Sequence, residues 1–233
     1  MLIKQKRSII PALDLNLRDA QKIVRETAES EFVGGYKVGF YLAMTCGLPG
    51  VVEMIRQFTD KPIIYDHQKA CTDIPDTGEL FVSACLESGI DAAIYFPFTG
   101  PIAEESWIKA AQSKNLKVLV GAWMTHTGFE ANAGGNFNED QILKIYQIAL
   151  GLGVTDFVVP GTKINALRRI HALAESGQLP QHSYYTPGIQ TQGGSISEIL
   201  KLIPQNIHFI VGRALINSSD IRRTLDQLGA QLF

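Results

Sequence analysis

The chain has 233 residues, enough for one large domain or two small ones and for a core that folds without disulfide or metal staples. Twenty-one basic and twenty-three acidic residues leave a net charge of −2, which excludes nucleic acid or a charged membrane surface as a partner held by bulk charge. A composition of 45% hydrophobic and 19% charged residues excludes the disordered class.

No apolar run reaches the roughly 18 residues of a membrane span. Residues 1–7 pass directly into a short run over 8–13 that is too brief for a signal-peptide core. Cys46, Cys71 and Cys85 are an odd number without a CxxC pair, which suits reduced thiols. The expectation is a soluble, cytoplasmic enzyme or binding protein.

In chain order, apolar runs predict strands over 9–15, 35–40, 62–66, 91–96, 117–124, 156–159, 183–186 and 208–211. Amphipathic stretches between them predict helices over 18–30, 50–58, 78–88, 102–113, 139–152, 165–175, 197–202 and 219–228. Eight strand–helix units of about 29 residues fit a (β/α)₈ TIM barrel, read as a single domain over residues 1–233. Runs such as Lys117-Val118-Leu119-Val120-Gly121-Ala122 have the near-continuous apolar character of strands covered on both faces. The longest irregular stretch, 125–138, follows the fifth strand. Barrels of this kind place their chemistry at the carboxyl ends of the strands.

Five strand ends are chemically unusual: Asp14, Lys37, the segment 65–78, the segment 187–194 and Gly212-Arg213. Gln192-Gly193-Gly194 before a helix and Gly212-Arg213 after the last strand stand where such barrels hold a phosphate, with backbone N–H groups and a guanidinium as donors. Glycines after strands also serve as plain turns; the two loops together favour phosphate. Lys37 lies in a strand otherwise built for burial and needs a carboxylate, which Asp14 or Asp66 can supply. With Lys69 and Asp73 it forms an alternating array suited to protonating a carbanion. Taken singly, each of these residues is equally well explained by a salt-bridge network bracing the barrel mouth.

Asp73-Ile74-Pro75-Asp76-Thr77, preceded by Asp66 and Lys69, resembles the signature segment of the orotidine 5′-phosphate decarboxylase family. The resemblance extends in order through Leu13-Asp14, Lys37-Val38-Gly39, Met124-Thr125-His126, the segment 187–194 and Val211-Gly212-Arg213. The family segment reads Asp-x-Lys-x-x-Asp-Ile-Pro, whereas here one extra residue stands on each side of Lys69. A bulge that restores the geometry is the expected outcome.

The resemblance implies conversion of orotidine 5′-monophosphate to UMP and CO₂, without cofactor or metal; the five histidines also show no ligand spacing. It implies that Lys69 protonates C6, that Asp66 lies near the departing carboxylate, and that Lys37 and Asp73 hold the array. It further implies ribose contacts from Asp14 and Lys37, a pyrimidine-edge contact from Thr125, and phosphate contacts from Gln192, Arg213, Gly193, Gly194 and Gly212. Asp73 and Thr77 are implied to reach across a homodimer interface. For Thr125 a hydroxyl that merely satisfies a turn is the alternative. Cys71 is expected to be a spacer, His67 to tune Asp66 or cap the bulge, and Trp107 and Trp123 to be packing anchors. Two other functions stay open: a magnesium-dependent sugar-phosphate decarboxylase of the 3-keto-L-gulonate 6-phosphate type, and a phosphate-binding barrel without catalysis.

Overall fold

A computed structural model describes residues 1–68, 70–177, 181–189, 193–204 and 206–233. Eight parallel strands close into a barrel in chain order: β1 (Arg7–Leu13), β2 (Tyr36–Gly39), β3 (Ile63–Asp66), β4 (Ala92–Tyr95), β5 (Lys117–Gly121), β6 (Asp156–Val158), β7 (Ser183–Thr186) and β8 (Ile207–Val211). The helices are α1 (Leu17–Thr27), α2 (Phe40–Cys46), α3 (Leu48–Arg56), α4 (Gly78–Glu87), α5 (Pro101–Ser113), α6 (Glu139–Gly151), α7 (Ile164–Ser176), α8 (Ile196–Leu202), α9 (Arg213–Ile216) and α10 (Ile221–Gly229). The expected (β/α)₈ architecture is the observed one.

Alternation along each strand divides the core in two. Ile9 and Leu13 of β1 pack outward against the helices, while Ile10 and Ala12 face the barrel interior with Ile64, Ile94, Leu119, Val158 and Ile210. Side-chain caps start several helices: Asn16 accepts from the Asp19 N–H, and Asn138 and Gln141 cap each other's backbone at α6.

Four departures from the sequence expectation bear on the barrel ends. β1 starts at Arg7, since the polar Ser8 is satisfied inside the barrel by His208, and it ends at Leu13, so Asp14 follows the strand. Phe40, expected as the end of β2, opens α2. β5 stops at Gly121, leaving Trp123 and Met124 outside the ladder. The short helix α9 begins at Arg213, where a loop was expected.

The amino end of the barrel interior is closed by polar pairs. Ser8 Oγ lies 2.8 Å from His208 Nδ1, and Tyr185 donates to Asp156 at 2.8 Å, with the Tyr185 and His208 rings 4.9 Å apart. Burial pushes the His208 imidazole down to about 4, since a charged ring there would be desolvated. A histidine with a depressed folded pKa stabilises the fold above its unfolded value near 6.5, and that stability is lost as pH falls towards 4. The H208Q variant should therefore flatten the acid limb of the stability profile by about 3 kcal/mol between those two values, read by urea melts at stepped pH. An acid limb identical to that of the unsubstituted chain contradicts this assignment.

Candidate active site

Strand register assembles the charged group at the carboxyl end of the barrel. Ala12 pairs with Lys37, and Gly39 pairs with Asp66. Asp14 and Asp66 thus stand at the level of Gly39, on either side of the lysine that rises between them. Lys37 Nζ donates to Asp14 Oδ1 and Oδ2 at 3.1 Å each and to Asp66 Oδ2 at 2.9 Å. Gly39 makes this trio feasible: a Cβ at this position would collide with the Asp14 carboxylate.

Lys37 and Asp66 are only 6% and 5% exposed, whereas the Asp14 side chain is half exposed. Burial alone would drive the Lys37 ammonium towards its neutral form, but the carboxylates of Asp66 and then Asp14 outweigh it and hold the pKa above the usual lysine value. Asp66 Oδ2 also receives the Gln68 side-chain amide at 3.4 Å. Asp66 Oδ1 is buried and has no hydrogen-bond partner among the described residues.

These groups form one wall of a cavity of about 280 Å³. Ile94, Phe96, Val158 and Ile210 form its floor. Trp123, Met124 and Thr125 lie after β5, Pro187-Gly188-Ile189 after β7, and Gly212-Arg213 after β8. The arrangement suits one small ligand with a flat apolar middle, a hydroxylated part near Asp14 and Lys37, and an anionic end near Arg213.

Of the residues singled out by sequence, Asp14, Lys37, Asp66, Thr125, Gly212 and Arg213 come together in this cavity. Lys69 and Gln192 lie outside the described residues. Gly193 has φ +92°, and Gly194 packs so closely on the Gly188 and Gly161 carbonyls that no Cβ would fit. The Gly194 N–H donates to the Gly188 carbonyl, and neither glycine is among the residues that line the cavity. Asp73 and Thr77 are also outside it. Asp73 lies in an exposed depression with Ile74 and Ile102, and its carboxylate accepts from the Ile74 N–H at 2.7 Å. Thr77 donates to the Ile74 carbonyl at 2.8 Å, where the segment turns into α4.

The two extra residues around position 69 have a local signature. Gln68 (φ +64°) and Cys71 (φ +65°), one on each side, adopt the left-handed conformation uncommon outside glycine. Ala70 and Cys71 are fully buried, and the Phe96 N–H donates to the Ala70 carbonyl at 2.9 Å. Burial raises the Cys71 thiol pKa far above its ordinary value, in line with a spacer rather than a nucleophile. His67 Nδ1 lies 2.7 Å from the hydroxyl of Tyr65 in β3.

Gln68 and Trp123 are among the cavity residues that sequence reasoning missed. Gln68 belongs to the inserted segment, for which the family pattern offers no counterpart. Trp123 is buried in the core, as expected of a packing anchor, and also lines the cavity; the apolar continuation of β5 up to Met124 was the available signal. Trp107 is the packing anchor expected, its Nε1 donating to the Ile74 carbonyl at 3.0 Å. Among the described residues, no three His, Cys, Asp or Glu side chains gather as a metal-binding group.

The family model described as orotidine 5′-phosphate decarboxylase / HUMPS matches residues 7–228. Orotidine 5′-phosphate decarboxylase of Methanocaldococcus jannaschii is 32% identical over 210 residues, 90% of this chain and 91% of that one. The Methanococcus maripaludis protein of the same name is 29% identical over 223 residues, covering 94% and 95%. The crystal structure of the M. jannaschii decarboxylase complexed with the inhibitor BMP aligns with a TM-score of 0.83 at 28% identity, over 97% of this chain and 99% of that chain.

The charged trio yields an unequal pair of expectations. Replacing Lys37 by Met strands a buried carboxylate and should destabilise the fold by about 3–5 kcal/mol. Asp14→Asn removes only a half-exposed partner and should cost about 1 kcal/mol or less. Urea melts of both variants at pH 7 measure the difference; equal losses contradict the assignment of Asp66 as the main partner.

Proposed function

Because the chain belongs to the orotidine 5′-phosphate decarboxylase / HUMPS family, we propose that it decarboxylates orotidine 5′-monophosphate to UMP and CO₂ in pyrimidine biosynthesis. The observation that carries this reading is the Asp14–Lys37–Asp66 trio on one wall of a cavity whose rim bears Arg213.

The reaction breaks the C6–carboxylate bond heterolytically and leaves its electron pair in the ring plane, where the pyrimidine delocalises it poorly. A cation placed at C6 must stabilise that pair and then protonate it. In this proposal Lys69 has both tasks: a proton passes from its ammonium to C6, and the neutral amine regains a proton from solvent. The second oxygen of Asp66, buried and without a partner among the described residues, supports the assignment, because a buried carboxylate oxygen calls for a cationic partner. Lys37 holds the other oxygen of Asp66 and so fixes the carboxylate.

Asp14 and Lys37 would bind the ribose hydroxyls, and Thr125 the amide edge of the base. Arg213 and Gln192 would hold the phosphate, with backbone access at Gly212. Binding energy from the phosphate is then available to organise the reacting end. We further propose a homodimer in which Asp73 and Thr77 complete the partner's site. Their exposure outside the cavity supports this, as do the exposed apolar side chains of Ile74, Leu80 and Ile102 around them. No helix among the described residues is long and apolar enough to cross a membrane; the cytoplasm is the proposed place of action.

The purified protein, assayed with EDTA present, should consume the ultraviolet absorbance of orotidine 5′-monophosphate. Lys69→Ala should slow turnover by about 10³-fold or more while leaving UMP affinity within a few-fold. Absence of turnover by the unsubstituted chain overturns the proposal, and metal-dependent turnover of a 3-keto-L-gulonate 6-phosphate-like substrate replaces it.

Subunit exchange tests the shared site. Mixing Asp73→Ala with Lys69→Ala protein should restore up to about one quarter of full activity, since a randomly mixed population is about half mixed dimers with one intact site of two. If native mass spectrometry shows mixed dimers and activity stays at background, Asp73 serves its own subunit.

A further inference from the structure

Trp123 is pinned at both ends. Its backbone N–H and that of Ala122 donate to the Tyr146 hydroxyl at 3.2 and 3.1 Å, and Tyr146 donates onward to the Val158 carbonyl at 2.9 Å. Its indole Nε1 donates to Glu130 Oε1 at 2.7 Å. The same carboxylate oxygen receives the Lys163 ammonium at 2.6 Å, and both side chains are largely shielded from solvent. Lys163 stands immediately before α7, and its ammonium also reaches the His126 carbonyl at 3.4 Å.

A single carboxylate oxygen thus joins the segment after β5, the far side of the 125–138 loop and the segment after β6. Burial pushes Glu130 towards its neutral form, but hydrogen bonds from Lys163 and Trp123 outweigh this and hold its pKa below the usual carboxylate value. The acceptor is therefore charged at neutral pH, and hydrogen bonds to a charged acceptor are the stronger kind. An indole fixed in this way cannot rotate about its side-chain torsions, and its remaining surface lines the cavity beside Thr125.

A rigid aromatic face opposite a charged wall suits a flat, weakly polar ring. We infer that Trp123 is a substrate-contacting residue for the base of the bound nucleotide, and that Glu130 and Lys163 are positioning residues that hold its ring. This rests on the proposed decarboxylation and adds a determinant of how the base is recognised.

The chain has two tryptophans, so protein labelled with 5-fluorotryptophan gives two fluorine resonances, assigned by the loss of one in Trp123→Phe. Saturating UMP should shift the Trp123 resonance. Glu130→Gln and Lys163→Met should each raise KM about tenfold with kcat within about twofold, because a preset wall serves ground state and transition state alike. In a Trp123→Phe background, Glu130→Gln should add less than about twofold to KM, since its effect passes through the indole. Turnover with an unmoved Trp123 resonance, or an undiminished Glu130→Gln effect in the Trp123→Phe background, overturns this inference alone. Failure of the unsubstituted chain to turn over orotidine 5′-monophosphate overturns it together with the proposed function.

Discussion

A lysine ammonium enclosed by barrel strands has lost its water, and only fixed anions can keep it charged. Lys37 meets that need with two carboxylates from the strands on either side, at 2.9 and 3.1 Å. Parallel register dictates the geometry: with Ala12 opposite Lys37 and Gly39 opposite Asp66, both aspartates stand above the lysine, on its left and right. The glycine that completes β2 clears the path of the Asp14 carboxylate. The charge pattern of the cavity wall is thus a property of strand pairing, not of flexible loops. It places a desolvated cation beside an acid whose second oxygen has no partner among the described residues.

The two ends of the barrel interior treat buried polarity in opposite ways. At the amino end, Ser8, His208, Tyr185 and Asp156 satisfy one another in closed pairs, and burial keeps the imidazole neutral. This is a polar plug that adds specificity to the packing without offering a group to solvent. At the carboxyl end the charges are kept ionised and face a cavity. The same scaffold can sustain both because Ile10, Ile64, Ile94 and Leu119 separate the two layers with apolar volume.

Much of the architecture was legible in the sequence because parallel strands covered on both faces leave uninterrupted apolar runs. The errors arose where burial and secondary structure part company. Ser8 is polar yet belongs to β1, since His208 satisfies it inside the barrel. Phe40, Tyr41 and Met44 are apolar yet exposed in α2, so the pattern read as the end of a strand. Trp123 and Met124 extend the apolar run of β5 because they face a cavity, not because they join the ladder. Of the site, the strand-borne members Lys37 and Asp66 could be inferred from charge in an apolar setting. Gln68 could not, since its place depends on a left-handed backbone that no local pattern announces.

The inserted segment lies next to the strand ends that carry the charged trio. A left-handed conformation at a non-glycine residue costs of the order of 1 kcal/mol or more, and here two occur within four positions. The compensation is visible in the packing. Ala70 and Cys71 are drawn into the core, Ala70 accepts the Phe96 N–H, and the Thr99 hydroxyl bonds the Cys71 and Asp73 carbonyls. Beyond Asp73 the chain is fastened again, by Trp107 to Ile74 and by Ser106 to Pro75. Ala70 and Cys71 thus lie inward between Asp66 and Asp73, while Ile74 and Pro75 are fastened to α5. That division leaves Asp66 under the control of β3 and Lys37, and leaves Asp73 and Thr77 outside the cavity, on a segment fastened to α5.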